Sequence, residues 1–256
     1  MSNQKKKKPG LRSQSKSTMD IVYILGTQSV WDDNEIRYSL RSVEENLENA
    51  GKVFIVGEFP AWMNESQLTH IPAKDPYDHK IKNAVHKILI ACNDKRISDN
   101  FILMNDDFLF LTKQSVTGNI NIGYIDDAQK EHKTRRGYYF RAIRETNQML
   151  KMARIEKPIN YEAHYPMIIN KKAFRAIMEG IGWKNIGYIF RSIYGNVLGV
   201  VGKETRDYKA FSIKEIFEMK DRDFISTDNY VCTNPKFQNW IREKFNKKSK
   251  YEHGKS

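Results

Sequence analysis

The chain of 256 residues has only two cysteines, Cys92 and Cys232, and they lie far apart. That excludes a disulfide framework and a cysteine-built metal cage, and it fits a reducing, cytoplasmic compartment. No run approaches the roughly 18 apolar residues that a membrane-crossing helix needs. The opening, MSNQKKKKPGLRSQSKSTMD, has a basic start with no apolar stretch behind it, so it lacks the pattern of a secretory signal. Glycines recur in IGWKNIGYIF and GNVLGVVGKE. Neither segment has the Gly-Lys-Ser/Thr ending of a phosphate loop or the spacing of a dinucleotide fingerprint. No local signature orders a Ser-His-Asp set.

Acid is also missing from residues 1–18, which hold six Lys/Arg. Residues 236–256 hold seven Lys/Arg against two Glu. The ends thus carry most of the net charge of +12, and the body between them is nearly neutral. A duplex reader shows its basic face on the folded body. A lysine-rich arm is commonly a solvated tail, and its alternative role is weak attachment to nucleic acid or an anionic membrane face.

What is present is a core-forming composition, 40% hydrophobic, enough for one substantial domain. DIVYILG (20–26) and KVFIVG (52–57) read as buried strands. Between them, Ile36, Leu40, Val43 and Leu47 recur at helical spacing. Asp32, Asp33 or Asn34 can cap that helix, and Gly51 can end it. DHKIKNAVHKILIACND (78–94) reads as a second amphipathic helix. NFILM and FLFL are two short strands around Asn105-Asp106-Asp107. Strand, helix, strand, helix, strand predicts an α/β fold with a mostly parallel sheet. Further on, GYYFRAIRETNQMLKMARI, NKKAFRAIMEGIG and KFQNWIREKF read as helices, whereas IGWKNIGYIFRSIYGNVLGVVG is ambiguous between helix and loop.

Open α/β sheets bind ligands at the carboxyl ends of their strands, where Asp106 and Asp107 fall. Asn and Asp are also favoured turn residues, so an exposed corner is the plain alternative. Adjacent carboxylates repel, however, and hard cations such as Mg²⁺ or Mn²⁺ choose such oxygens.

Asn-Asp-Asp after an apolar strand resembles the acidic motif of nucleotide-sugar glycosyltransferases with the GT-A fold. DNEIRYSLRSVEEN, KVFIVGEFPAWM, HYPMIINK, ISTDNY and KKSKYE together resemble, in order, the segments of the Stealth family of sugar-phosphate transferases. The resemblance covers most of residues 20–252. It implies a GT-A-like (Rossmann-like) transferase domain over 19–246, with a helical C-terminal part and basic tails at 1–18 and 247–256. It also implies transfer of a sugar or sugar-1-phosphate from a nucleotide-sugar, UDP-linked, to an acceptor hydroxyl, as in capsule and surface glycan synthesis. Where the family has a Trp-Val-Asp-Gly-type loop this chain has ILGTQSVWDDNE, which leaves the choice between those two transfers open.

Under that resemblance Asp106 and Asp107 hold Mn or Mg, with His164 as a third ligand or a proton acceptor. Asn105 orients them or touches the donor's ribose, or else is a turn residue. Arg37 and Arg41, four apart on one helix face, bind phosphate, or else pair with neighbouring acids. Lys80 and Asn83, on one face with Lys87, reach the nucleotide, or else face solvent. Arg191 binds phosphate or acceptor. Asp228 is a general base or a helix cap, and Glu162 is a weaker base candidate. Trp31 and Trp62 stack on a ring, or else are core.

Two other functions share these residues. One is a phage-type glycosyltransferase acting on a hydroxylated base in DNA, motivated by the basic tails. The other is a non-catalytic nucleic-acid-binding protein on a degenerate transferase core.

Overall fold

The computed structural model describes residues 18–219 and 222–254. Met19–Leu25 forms strand β1, and helix α1 (Asn34–Asn46) crosses over to strand β2 (Ala50–Gly57). Strand β3 (Leu68–Ile71), helix α2 (Lys80–Asn93) and strand β4 (Asn100–Met104) follow. Short strands β5 (Phe108–Phe110) and β6 (Ile120–Asn121) and helices α3 (Ile125–Glu131) and α4 (Tyr138–Met152) precede strand β7 (Met167–Asn170). The main sheet has the order β3-β2-β1-β4-β7, parallel except for β7. This is the α/β fold with a mostly parallel sheet that the strand–helix alternation predicts.

Successive strand residues face opposite sides. Val22, Phe54 and Leu103 pack on one face with α2, while Ile21, Tyr23, Ile55 and Met104 pack on the other with α1. Covering both faces explains why these strands are continuous apolar runs rather than alternating ones.

The rest of the chain is helices α5 (Lys171–Ile181) and α6 (Phe190–Leu198), strands β8 (Lys203–Glu204) and β9 (Lys209–Ala210), and helix α7 (Ile213–Met219). Strand β10 (Phe224–Thr227) and helices α8 (Asn229–Cys232) and α9 (Pro235–Lys244) complete it. The ambiguous glycine-rich stretch thus contains α6. A second small sheet, β5-β10-β9, lies beyond the acidic corner. Among the described residues no helix is long and apolar enough to cross a membrane.

Two expectations are corrected. Helix α1 stops at Asn46, not at Gly51, and Leu47 is already extended. Gly51 lies inside β2, where a Cβ would come within 2.7 Å of the Met19 carbonyl oxygen, so crowding between strands explains the glycine. Asp33 stands at the cap position with φ 56° and makes no side-chain cap bond. Ser29 and Glu35 instead brace the loop that leads into the helix. The Ser29 hydroxyl accepts from the Asp33 amide at 2.7 Å and donates to Glu35 at 2.8 Å, while Glu35 accepts from the Val30 amide.

The polar residues of α1 fasten β5 to the helix. Ser39 donates to the Phe108 carbonyl (2.6 Å), Ser42 accepts from the Phe110 amide (3.1 Å), and Asn46 donates to the Phe110 carbonyl (2.8 Å). All three are buried. Ser42→Ala strands the buried Phe110 amide, which is expected to cost about 1–3 kcal/mol in urea unfolding. A loss below a few tenths would show that water replaces the hydroxyl.

Residues 247–254, part of the span that composition marks as a basic tail, lie against the body. Tyr251 and Glu252 are buried, the Asn64 amide donates to the Tyr251 carbonyl, and the His253 amide donates to Trp62. Residues 1–17 lie outside the described residues.

Candidate active site

The turn Asn105–Asp107 links β4 of the main sheet to β5 of the small one. Ladder bonds hold both strands, so the three polar side chains sit between two layers rather than on a free hairpin tip. The exposed-corner alternative therefore does not describe them: all three are half-buried.

Asp107 is fully engaged on one oxygen. Its Oδ2 accepts from Lys209 Nζ at 2.7 Å and from Ser226 Oγ at 2.6 Å. Burial opposes its charge, but Lys209, Ser226 and the nearby His164 hold its carboxyl below the usual carboxylate range. Asp106 is in the opposite state. Burial and the charges of Asp107 and Glu35 push it up to about 7. Among the described residues it has no ion-pair partner. The corner thus carries one balanced carboxylate and one unbalanced one.

Around it stand three other candidates. Arg191, on α6, is buried and donates to Asn105 Oδ1 at 3.1 Å and to the Tyr165 carbonyl at 2.8 Å. Glu162 accepts from the Ser192 amide and hydroxyl, and burial pushes its carboxyl up despite Arg191 and His164. His164 has φ 42°, and its Nδ1 meets both oxygens of Asp207 at 2.9 and 3.0 Å. Asn105, Asp106, Asp107, Glu162, His164 and Arg191 therefore form one neighbourhood, although they come from segments far apart in the chain.

The remaining candidates are placed elsewhere. Arg41 donates to both Glu252 oxygens (2.7 and 2.8 Å) and to the Phe245 carbonyl. Arg37 lies over the Trp62 ring at 4.5 Å. Asn83 clamps the Tyr77 backbone through both amide atoms, and Lys80 is exposed at the start of α2. Lys87 is buried, bonding the Leu25 carbonyl and pairing with Asp75 at 2.6 Å. Asp228 caps α8 by accepting from the Val231 amide. Trp31 is core, stacked on Tyr38.

Sequence reading missed Lys209, Ser226 and Asp207. Strand β9 is two residues long and has no periodic signal. Only its parallel pairing with β10, Lys209 opposite Ser226, brings the lysine to Asp107.

The hard oxygen donors of Asp106 and Asp107, one of them without a counter-charge, fit a divalent ion. His164 does not complete a set with them. Among the described residues no group of three or more His, Cys, Asp or Glu is arranged to hold a metal. A metal here would need its remaining ligands from a bound phosphate or water.

No family model matches the chain, so the Stealth resemblance stands on the quoted segments alone. Over 113 residues the chain is 31% identical to the N-acetylglucosamine-1-phosphotransferase subunits alpha/beta of Mus musculus and 32% identical to those of Homo sapiens. The match covers 38% of this chain, and the chain spans only 8% of the length of these relatives. Among solved structures, the galactosyltransferase LgtC aligns with 91% of this chain and 85% of its own, at 15% identity and a TM-score of 0.43. The bifunctional glycosyltransferase WbbM aligns with 91% of this chain and 53% of its own, at 10% identity and a TM-score of 0.44. Likenesses as distant as these last two say nothing of activity.

Proposed function

We propose that the chain is a transferase that moves a sugar or a sugar-1-phosphate from a nucleotide sugar of the UDP class to an acceptor hydroxyl. The observation that carries this reading is the unbalanced carboxylate of Asp106 beside Asp107, at the carboxyl end of a parallel strand. The partial match to N-acetylglucosamine-1-phosphotransferase favours the sugar-1-phosphate form.

Asp106 and Asp107 would hold Mn²⁺ or Mg²⁺, which would neutralise charge developing on the leaving nucleotide. Lys209 and Ser226 fix Asp107 so that one oxygen stays available. Arg191 holds Asn105 and keeps a positive charge behind the carboxylates. Asp207 accepts the Nδ1 proton of His164, which leaves Nε2 as the proton acceptor for a hydroxyl. Glu162, whose proton affinity is raised, is the second group able to take that proton.

The test is to incubate the protein with UDP-sugars and Mn²⁺, with and without EDTA, and to measure nucleotide release. Sugar transfer releases UDP, and sugar-1-phosphate transfer releases UMP. EDTA is expected to abolish either. Absence of nucleotide release together with absence of UDP binding would overturn the reading.

A further inference from the structure

The small sheet turns one face to the acidic corner. Lys209 of β9 and Ser226 of β10 both donate to Asp107 Oδ2, at 2.7 and 2.6 Å. The next residue of each strand faces the other way. Ala210 is buried in the cluster that contains Val231 and Phe237, and Thr227 meets the buried Cys232. Strand alternation then returns Phe211 and Asp228 to the Asp107 side. Asp228 is still extended, and its amide donates to the Ala210 carbonyl at 3.3 Å, so the two strands run side by side to this point. Neighbouring strands lie about 4.8 Å apart and rise about 3.3 Å per residue. Phe211 and Asp228 are therefore adjacent. They stand outside the corner itself, at its rim, about 7 Å along their strands from the residues that hold Asp107.

Phe211 is 58% exposed, and Tyr230, two residues after Asp228, is 65% exposed. Scattered apolar side chains on a surface need no explanation, but these two flank a carboxylate at the mouth of the candidate site. Their backbone is anchored. The Phe211 amide donates to Glu215, in the first turn of α7, at 2.7 Å, and the Glu215 amide donates to Ser212. Asp228 is half-buried, and its Oδ1 accepts from the Val231 amide at 2.9 Å, which fixes the carboxylate. Its Oδ2 has no hydrogen-bond or ion-pair partner among the described residues.

This set of groups selects a ligand. An aromatic face takes the C–H face of a sugar ring, and a fixed carboxylate oxygen accepts from its hydroxyls in a charge-assisted bond. The carboxylate also repels anions, and Asp106 and Asp107 add to its field, so an acidic sugar or a phosphate is disfavoured here. Rings this exposed are reached from solvent, the side from which an acceptor arrives. A donor sugar would instead be tied through its phosphates to the corner within.

We propose that Phe211 and Asp228, with Tyr230 beside them, bind a neutral pyranose ring of the acceptor. The ring lies on Phe211, and one of its hydroxyls donates to Asp228 Oδ2. That this ring belongs to the acceptor rests on the transferase reading above, whereas binding of a neutral pyranoside does not.

The experiment titrates methyl β-D-glucopyranoside, methyl β-D-galactopyranoside and methyl β-D-glucopyranosiduronate into the full chain by ligand-observed NMR, and UDP with Mn²⁺ separately. At least one neutral glycoside should bind, and the glucuronide more weakly. Phe211→Ala should weaken the neutral glycoside about tenfold, Phe211→Trp should keep it within about threefold, and UDP binding should be the same in both. Asp228→Asn, which still caps α8, should weaken the neutral glycoside and narrow its lead over the glucuronide. The melting temperature should hold in Phe211→Ala because the ring is exposed, and if it falls, Phe211→Trp against Asp228→Asn carries the comparison. Unchanged glycoside binding by Phe211→Ala, equal losses in Phe211→Ala and Phe211→Trp, UDP binding lost together with the glycoside, a preference for the glucuronide, or no glycoside binding by the wild type would each overturn the proposal. A wild type that binds the glycoside but no UDP would instead overturn only the transferase reading.

Discussion

Replacing Asp106 or Asp107 by asparagine is expected to lower nucleotide release by about 10²–10³-fold, the size of an electrostatic interaction realised in the transition state. The two variants should differ sharply in stability. Asp106 carries a charge that burial, Asp107 and Glu35 all disfavour, so with its carboxyl pushed up to about 7 it costs stability progressively as pH rises from the ordinary carboxylate range, and in full above about pH 7. Asp106→Asn removes that charge and should raise the melting temperature in metal-free buffer at alkaline pH. Asp107→Asn removes the partner of Lys209, an ammonium that is 17% exposed, and should lower it. Activity lost in both, with opposite shifts in stability, separates a functional pair from a structural one. Transfer retained within about threefold in both variants would remove the pair from the chemistry.

Glu252→Ala is expected to destabilise the protein by about 3–5 kcal/mol, because it leaves the Arg41 guanidinium buried without its partner. The side chains of Arg41 and Glu252 are 12% and 5% exposed, and two short bonds join them. Burial alone would raise the Glu252 carboxyl. The Arg41 bonds, the Ser249 amide and the charges of Arg41 and Arg37 instead hold it below the usual range. A depressed carboxylate contributes stability above its unfolded pKa and loses it as pH falls through the folded value. The wild type should therefore lose this contribution in acid, below the ordinary glutamate range, and Glu252→Gln should flatten that limb of the curve. The joint replacement Arg41→Met/Glu252→Leu should recover most of the loss, because no charge is then left buried. Urea unfolding of the three variants measures each outcome. A loss under about 1 kcal/mol for Glu252→Ala would mean that the pair behaves as a surface bridge.

Helical faces tell which side chains are neighbours, and the fold tells what they meet. Arg37 and Arg41 share a face of α1, and that face is correctly placed. What it meets is the returning C-terminal segment some 200 residues later, where Glu252 takes Arg41. Lys80, Asn83 and Lys87 share a face of α2 as well, yet they end in three environments: solvent, a backbone clamp and the end of β1. Spacing along a helix tells which side chains are neighbours but not what lies opposite them. Leu47 and Gly51 show the same limit at an element's end, since only pairing of Ala50 with Met19 turns the expected last turn into a strand.

The sequence alone settled the parallel apolar strands, their two crossover helices and the position of two carboxylates at a strand's end. Those features follow from local periodicity and from turn chemistry, which act over a few residues. The tertiary structure decided which carboxylate is neutralised, which histidine nitrogen faces Asp207 and where the arginines go. Those outcomes depend on contacts such as Lys209 with Asp107, 102 positions apart. Electrostatic environment is set by what folds into contact, and no window of sequence contains it.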